Sequence, residues 1–97
     1  MNSGIEESLT NLPDQVGDAL EKWRRATLER EKKEALLYLE FKGSAEKRTA
    51  DEVKAMVRSN EDRYKFCLYE LKKEADYTRL YERLLSLKRL ANMREAY

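Results

Sequence analysis

Apolar positions recur along this chain at helical spacing, and turn signals cut the pattern into a long, a short and a long element. Asn11-Leu12-Pro13-Asp14 reads as a helix start. Asn11 can cap, proline is tolerated in a first turn, and Asp14 suits the positive end of the helix dipole. From there to Lys42 only Gly17 opposes a helix. Acid-before-base pairs four residues apart (Asp18–Lys22, Glu21–Arg25, Glu29–Lys33) support it. Gly43 fits the position that ends a helix, and residues 44–48 follow as a loop. Thr49-Ala50-Asp51-Glu52 is a capping box that opens a short helix through about Arg58. Ser59 with Glu61 and Asp62 signals another start, for a long helix from Asn60 towards Arg94. Residues 1–12 are expected to be a flexible acidic tail and 13–97 a single helical-hairpin domain.

Plotted at about 100° per residue, Val16, Ala19, Leu20, Trp23, Thr27, Leu37, Tyr38 and Phe41 share one side of the first long helix. Tyr64, Cys67, Leu68, Leu71, Ala75, Thr78 and Leu85 share one side of the last. These stripes predict the seam of an antiparallel hairpin. Phe66, Tyr77, Leu80, Leu84, Leu87 and Ala91 fall on a second face of the last helix, with a thinner counterpart in Leu28, Ala35 and Leu39. A hairpin has one inside, and an apolar stripe left in water marks an interface. The second face therefore predicts a homo-oligomer, unless Ile5, Leu9, Leu12, Val53, Met56 and Val57 cover it. The expected fold is all-α: two long helices and a short intervening one, assembling into a helical-bundle oligomer.

Composition narrows the class further. The aliphatic set is 14 Leu against three Val and one Ile, with one Pro and three Gly, so the residues of a β fold are scarce. Charged residues make up 40% of the chain, yet 20 bases against 19 acids leave a net charge of only +1. The charges are segregated: residues 1–22 carry five acids and one base, whereas residues 77–97 carry five bases and two acids. No uncharged run approaches the roughly 20 residues of a membrane span. The N-terminus shows neither the basic nor the apolar segment of a signal peptide. An unpaired Cys67 suits a reducing compartment, so a cytoplasmic protein is expected.

Catalysis is not expected. With no histidine the commonest general base and metal ligand is missing. The acids mostly sit beside bases as on a solvated face. Cys67 lies on the apolar stripe next to Leu68 and Leu71, where a buried, inert thiol is the simpler reading. No phosphate-binding glycine loop or metal motif occurs, so neither cofactor nor metal is implied.

The bases carry more information. Lys65, Lys72, Arg79, Arg83 and Arg94 project within about 60° of one another on the last helix, with Lys88 and Arg89 nearby and Asp76 and Leu90 interrupting. Arg79 and Arg83 are a like-charge pair four apart, which an isolated helix disfavours. An arriving anion would relieve that cost. Further patches are Lys42, Lys47 and Arg48 at the hairpin turn, and Arg24-Arg25 with Lys32-Lys33. Six tyrosines are interleaved with these bases. Tyr38, Tyr64 and Tyr77 fall on apolar stripes, which leaves Tyr69 and Tyr81 as candidates for stacking on nucleic-acid bases.

The run Glu31-Lys32-Lys33-Glu34-Ala35-Leu36-Leu37-Tyr38-Leu39-Glu40-Phe41-Lys42-Gly43 resembles the end of the first helix in the UvsY-type recombination mediators of tailed phages. The segment from Glu52 through Asp62, with the long helix to Arg94, is similar to that family's second half. The likeness spans about residues 20–94; Phe41-Lys42-Gly43 stands where the family has paired tyrosines before the glycine. The resemblance implies a ring-like oligomer that binds single-stranded DNA and helps load a RecA-type recombinase onto strands coated with single-strand-binding protein. By position it makes Lys42, Lys47 and Arg48 DNA-contact candidates.

The expected function is thus a non-enzymatic, phage-type recombination or replication accessory protein in the host cytoplasm. Arg79, Arg83, Lys88, Arg89, Lys72 and the turn bases would contact phosphates, and Tyr69 and Tyr81 would stack bases. The alternative is a helical protein-interaction module that does not bind nucleic acid.

Overall fold

The computed structural model describes the backbone of residues 2–44 and 46–95 and the side chains of residues 10–44 and 46–94. It is all-helical, with α1 Asn2–Lys42, α2 Ala50–Ser59 and α3 Glu61–Glu95 in the long–short–long order of a helical hairpin. Its contacts divide the chain into two units. One comprises Met1–Trp23 with Lys73–Tyr97, the other Arg24–Lys72. No helix among the described residues is long and apolar enough to cross a membrane.

The start of α1 differs from the sequence reading. The helix begins at Asn2 and carries Pro13 inside it, rather than opening at Asn11 after a tail. The reason lies in the spacing. Ile5, Leu9, Leu12, Val16, Ala19, Trp23 and Ala26 follow one another at alternating steps of four and three, a heptad that runs straight through the proline. Leu12, Ala19 and Ala26 are buried. The covering role expected of Ile5 and Leu9, like Tyr97, falls outside the described side chains. Gly17 lies inside α1 with nothing within 4 Å of where a Cβ would stand. Gly17→Ala is therefore expected to raise stability by about 0.5–1 kcal/mol, read as a higher urea midpoint.

The helix ends follow the turn chemistry closely. Thr49 Oγ1 accepts from the Glu52 N–H at 3.2 Å while the Thr49 N–H donates to Glu52 Oε2 at 3.4 Å, closing the capping box. At the next start the cap is Asn60, not Ser59: Asn60 Oδ1 accepts from the Arg63 N–H at 3.1 Å. Ser59 instead donates its hydroxyl back to the Ala55 and Met56 carbonyls and finishes α2. Gly43 follows α1 as expected, its N–H donating to the Leu39 carbonyl at 2.9 Å. It holds no positive φ, and a Cβ there would stand 3.2 Å from that same carbonyl.

In the unit of residues 24–72, α2 folds onto the end of α1. Val53 and Val57 pack with Leu37, flanked by Tyr38 and Phe41, and Val53 is fully buried. Each such side chain contributes about 1.5–3 kcal/mol of burial. α1 and α3 run antiparallel here, since Arg30 meets Glu70 while Glu34 meets Arg63. In the other unit Trp23 lies against Tyr77, ring centroids 5.5 Å apart, and Leu84 is buried.

The faces of α3 correct the sequence reading. Tyr77, Leu80, Leu84, Leu87 and Ala91, expected to form an outer interface, are buried or half-buried within their unit, and Phe66 is half-buried in the other. Of the residues expected at the seam, Cys67 and Leu85 are half-buried, Ala75 and Thr78 are exposed, and Tyr64, Leu68 and Leu71 are about half to two-thirds exposed. A fixed 100° wheel causes the exchange. A run of inner positions of α3, Arg63, Phe66, Glu70, Lys73, Tyr77, Leu80, Leu84, Leu87 and Ala91, is spaced three and four throughout, with Cys67, Glu74, Asp76 and Leu85 half-buried beside it. That spacing repeats every 3.5 residues, so it drifts by about 20° per heptad on a 3.6-residue wheel and is split into two faces.

Candidate nucleic-acid interface

The candidate bases fall into two sets, one in each unit. At the end of α3 the set is Arg79, Arg83, Lys88 and Arg89, all exposed. The seam positions 77, 80, 84, 87 and 91 turn inward, and the intervening residues of a helix then face water. Arg79 is the most exposed cation of the described ion pairs, its side chain 78% accessible, and Asp76 Oδ1 reaches it only at 3.6 Å. At such exposure the pair contributes little to stability. Arg79 also borders a shallow groove with Lys22, Lys73, Asp18 and Asp76, whose mixed signs do not make an anion pocket.

In the unit of residues 24–72 the candidates are Lys42, Lys47, Arg48 and Lys72. Lys42, Lys47 and Lys72 are exposed. Arg48 is engaged in holding the fold. Its Nη1 donates to the Phe41 carbonyl at 3.3 Å and to Ser44 Oγ at 2.8 Å, and its Nη2 pairs with Glu46 at 3.0 Å. Ser44 Oγ also donates to the Phe41 carbonyl. The guanidinium therefore satisfies the carbonyl end of α1, where cations are favoured by the dipole. This unit holds 13 bases and 10 acids, net +3, whereas the other is net −2, because the acidic start of α1 outweighs the basic end of α3.

The two tyrosine candidates differ in setting. Tyr81 stacks on Tyr77, centroids 5.8 Å apart and planes 20° from parallel, and remains 42% exposed. One face of its ring is thus spent within the unit. Tyr69 is half exposed and lines a small apolar groove with Phe66, Lys65 and Glu29.

A charged cluster that the sequence reading missed sits at inner positions of the same unit. Arg30 Nε pairs with Glu70, and Arg30 Nη1 donates to Glu34 Oε1 at 2.9 Å. Arg63 Nε donates to that same Glu34 oxygen at 2.8 Å, and Arg63 Nη1 donates to the Arg58 carbonyl at 3.1 Å. Lys33 lies 3.9 Å from Asp62. Burial pushes the Glu34 carboxyl up, but the guanidiniums of Arg63 and Arg30 outweigh it and hold it below its ordinary value. Arg30 is held protonated more firmly than usual, first by its hydrogen bond to Glu70. These cations are structural and are not available to a ligand. The available signal was their spacing, since 30, 63 and 70 continue the three-four pattern of the apolar positions.

No family model, curated protein or solved structure matches the chain.

Proposed function

We propose that this chain is a non-enzymatic accessory protein of phage-type DNA recombination or replication. It binds single-stranded DNA as a homo-oligomer in the host cytoplasm and assists loading of a RecA-type recombinase against single-strand-binding protein. The observation that carries this reading is the exposed set Arg79, Arg83, Lys88 and Arg89 at the end of α3, whose one ion pair among the described residues is the long contact of Arg79 with Asp76. Four cations on a stretch of helix suit phosphate contacts that are indifferent to sequence. Tyr81 and Tyr69 offer partly exposed rings for base stacking. A monomer with net charge near zero binds weakly, so repeated patches in an assembly supply avidity.

The test is fluorescence anisotropy of a labelled single-stranded oligonucleotide across a salt series. Four phosphate contacts predict a log–log slope of about −2.8, at roughly 0.7 per contact. A flat slope defeats the phosphate reading. A protein that ignores DNA at low salt favours the second reading, a helical protein-interaction module. That reading has its own observation: seven large apolar side chains in the unit of residues 24–72 are exposed.

A further inference from the structure

Glu29 of α1 and Lys65, Phe66 and Tyr69 of α3 line a mostly apolar groove of about 290 Å³ in the unit of residues 24–72. That volume is near the lower end of small-ligand clefts, roughly 300–1,000 Å³, and suits one flat ring. The spacing around it is regular. Lys65 and Lys72 stand four residues before and three after Tyr69, so the three share one side of α3. On α1, Arg25 and Lys32 stand at the same offsets from Glu29. The ion pairs Arg30–Glu70 and Glu34–Arg63 set the helices antiparallel, which puts Lys32 towards the Lys65 end of the groove and Arg25 towards the Lys72 end. Lys32, Lys65 and Lys72 are exposed, and Tyr69 is half exposed. Two acids that flank this side of α3, Asp62 and Glu70, are paired with Lys33 and Arg30. The groove thus has an aromatic wall and one carboxylate at its middle, with bases beyond both ends.

We infer that this groove is a nucleotide subsite for single-stranded DNA, taking one base against Tyr69 with the phosphates on either side of that base over Lys65 and Lys72. The inference deepens the proposed function and rests on its reading of the chain as a single-strand binder. A nucleotide within a strand is a neutral flat ring between two negative groups, and the groove carries the complementary pattern. Glu29 sets the polarity, because its charge repels phosphate from the middle of the groove and leaves that space to the base. A carboxylate only accepts hydrogen bonds. Cytosine presents an amino donor where thymine presents a carbonyl acceptor, so the subsite favours cytosine over thymine. Stacking on Tyr69 tolerates either base. Phosphate contacts at the end of α3 carry no sequence information, so the preference originates at Glu29.

The experiment is fluorescence anisotropy of labelled oligo(dC) and oligo(dT) of one length, at neutral pH and low salt, with circular dichroism to confirm the helicity of each variant. Wild type is expected to hold oligo(dC) about fivefold more tightly than oligo(dT), the effect of one hydrogen bond to a carboxylate in a wet groove. Glu29→Gln is expected to erase that preference, because an amide both donates and accepts. Tyr69→Ala is expected to weaken both oligonucleotides by at least about fivefold through lost stacking, whereas Tyr69→Phe keeps the ring and the affinity. Lys65→Gln with Lys72→Gln is expected to weaken both alike and to lower the salt slope by about 1.4, since these contacts add to those at the end of α3. Equal binding of the two oligonucleotides by wild type overturns the subsite, and so does wild-type affinity in Tyr69→Ala. Either of those results leaves the proposed function standing. A protein that binds neither oligonucleotide at low salt sinks that function and the subsite with it.

Discussion

Replacing Glu34 by leucine is expected to lower the unfolding free energy by about 2–3 kcal/mol, read from urea unfolding by circular dichroism. One carboxylate oxygen accepts from Arg30 at 2.9 Å and from Arg63 at 2.8 Å. Removing it leaves Arg63 without its carboxylate in a setting where its side chain is only 24% exposed. A fully buried pair broken in this way costs about 3–5 kcal/mol, and the remaining exposure here brings the figure down. Arg30 keeps Glu70 and Arg63 keeps the Arg58 carbonyl, which limits the loss further. The same carboxylate makes stability depend on acid. Its folded-state value is depressed from 4.5, so the unfolded chain takes up the proton first as pH falls. The contribution is fully present above pH 4.5 and is lost as pH drops through the lower folded-state value. Wild type should lose urea resistance below pH 4.5, and Glu34→Gln should show a flatter acid limb. An equally steep limb in both proteins would place the acid sensitivity elsewhere.

This cluster also explains how much of the fold could be read beforehand. The all-α class, the three helices and the Thr49–Glu52 capping box follow from local chemistry, and local chemistry survives folding. Asn60 and Ser59 are both good caps, and only the extra bonds of Ser59 to the Ala55 and Met56 carbonyls decide between them. The packing faces were harder because charged residues occupy inner positions. Searching for apolar residues passes over Arg30, Arg63 and Glu70 and picks Tyr64, Leu68 and Leu71 as the seam. The three-four spacing contains the right answer, but only if ionic residues are admitted to it. Arg48 illustrates the same limit at the candidate site. As a base in a turn it looked free for phosphate, yet it follows a helix end whose Phe41 carbonyl needs a donor. Arg79, Arg83, Lys88 and Arg89 are legible because they stay exposed, and among the described residues only Asp76 pairs with any of them, at 3.6 Å from Arg79.

Reversing Arg79 and Arg83 together is expected to weaken single-stranded DNA binding by at least about 25-fold at 0.1 M salt. Each phosphate contact contributes about 0.7 log unit of affinity between 1 M and 0.1 M salt, or about fivefold, and two contacts multiply. Repulsion between the new carboxylates and phosphate adds to that loss. The salt slope should fall by about 1.4 in the Arg79→Gln, Arg83→Gln variant, which removes the contacts without adding repulsion. Stability should barely change, because both side chains are exposed and the Asp76 contact is weak. Relieving a like-charge pair four residues apart even returns a few tenths of a kcal/mol to the helix in the glutamine variant. Affinity and stability therefore move independently, which is the signature of cations kept for a ligand. Should the slope stay at its wild-type value, the phosphates are met by the other unit. Lys42, Lys47 and Lys72 are then the residues to change, with Arg48 left in place to hold the end of α1.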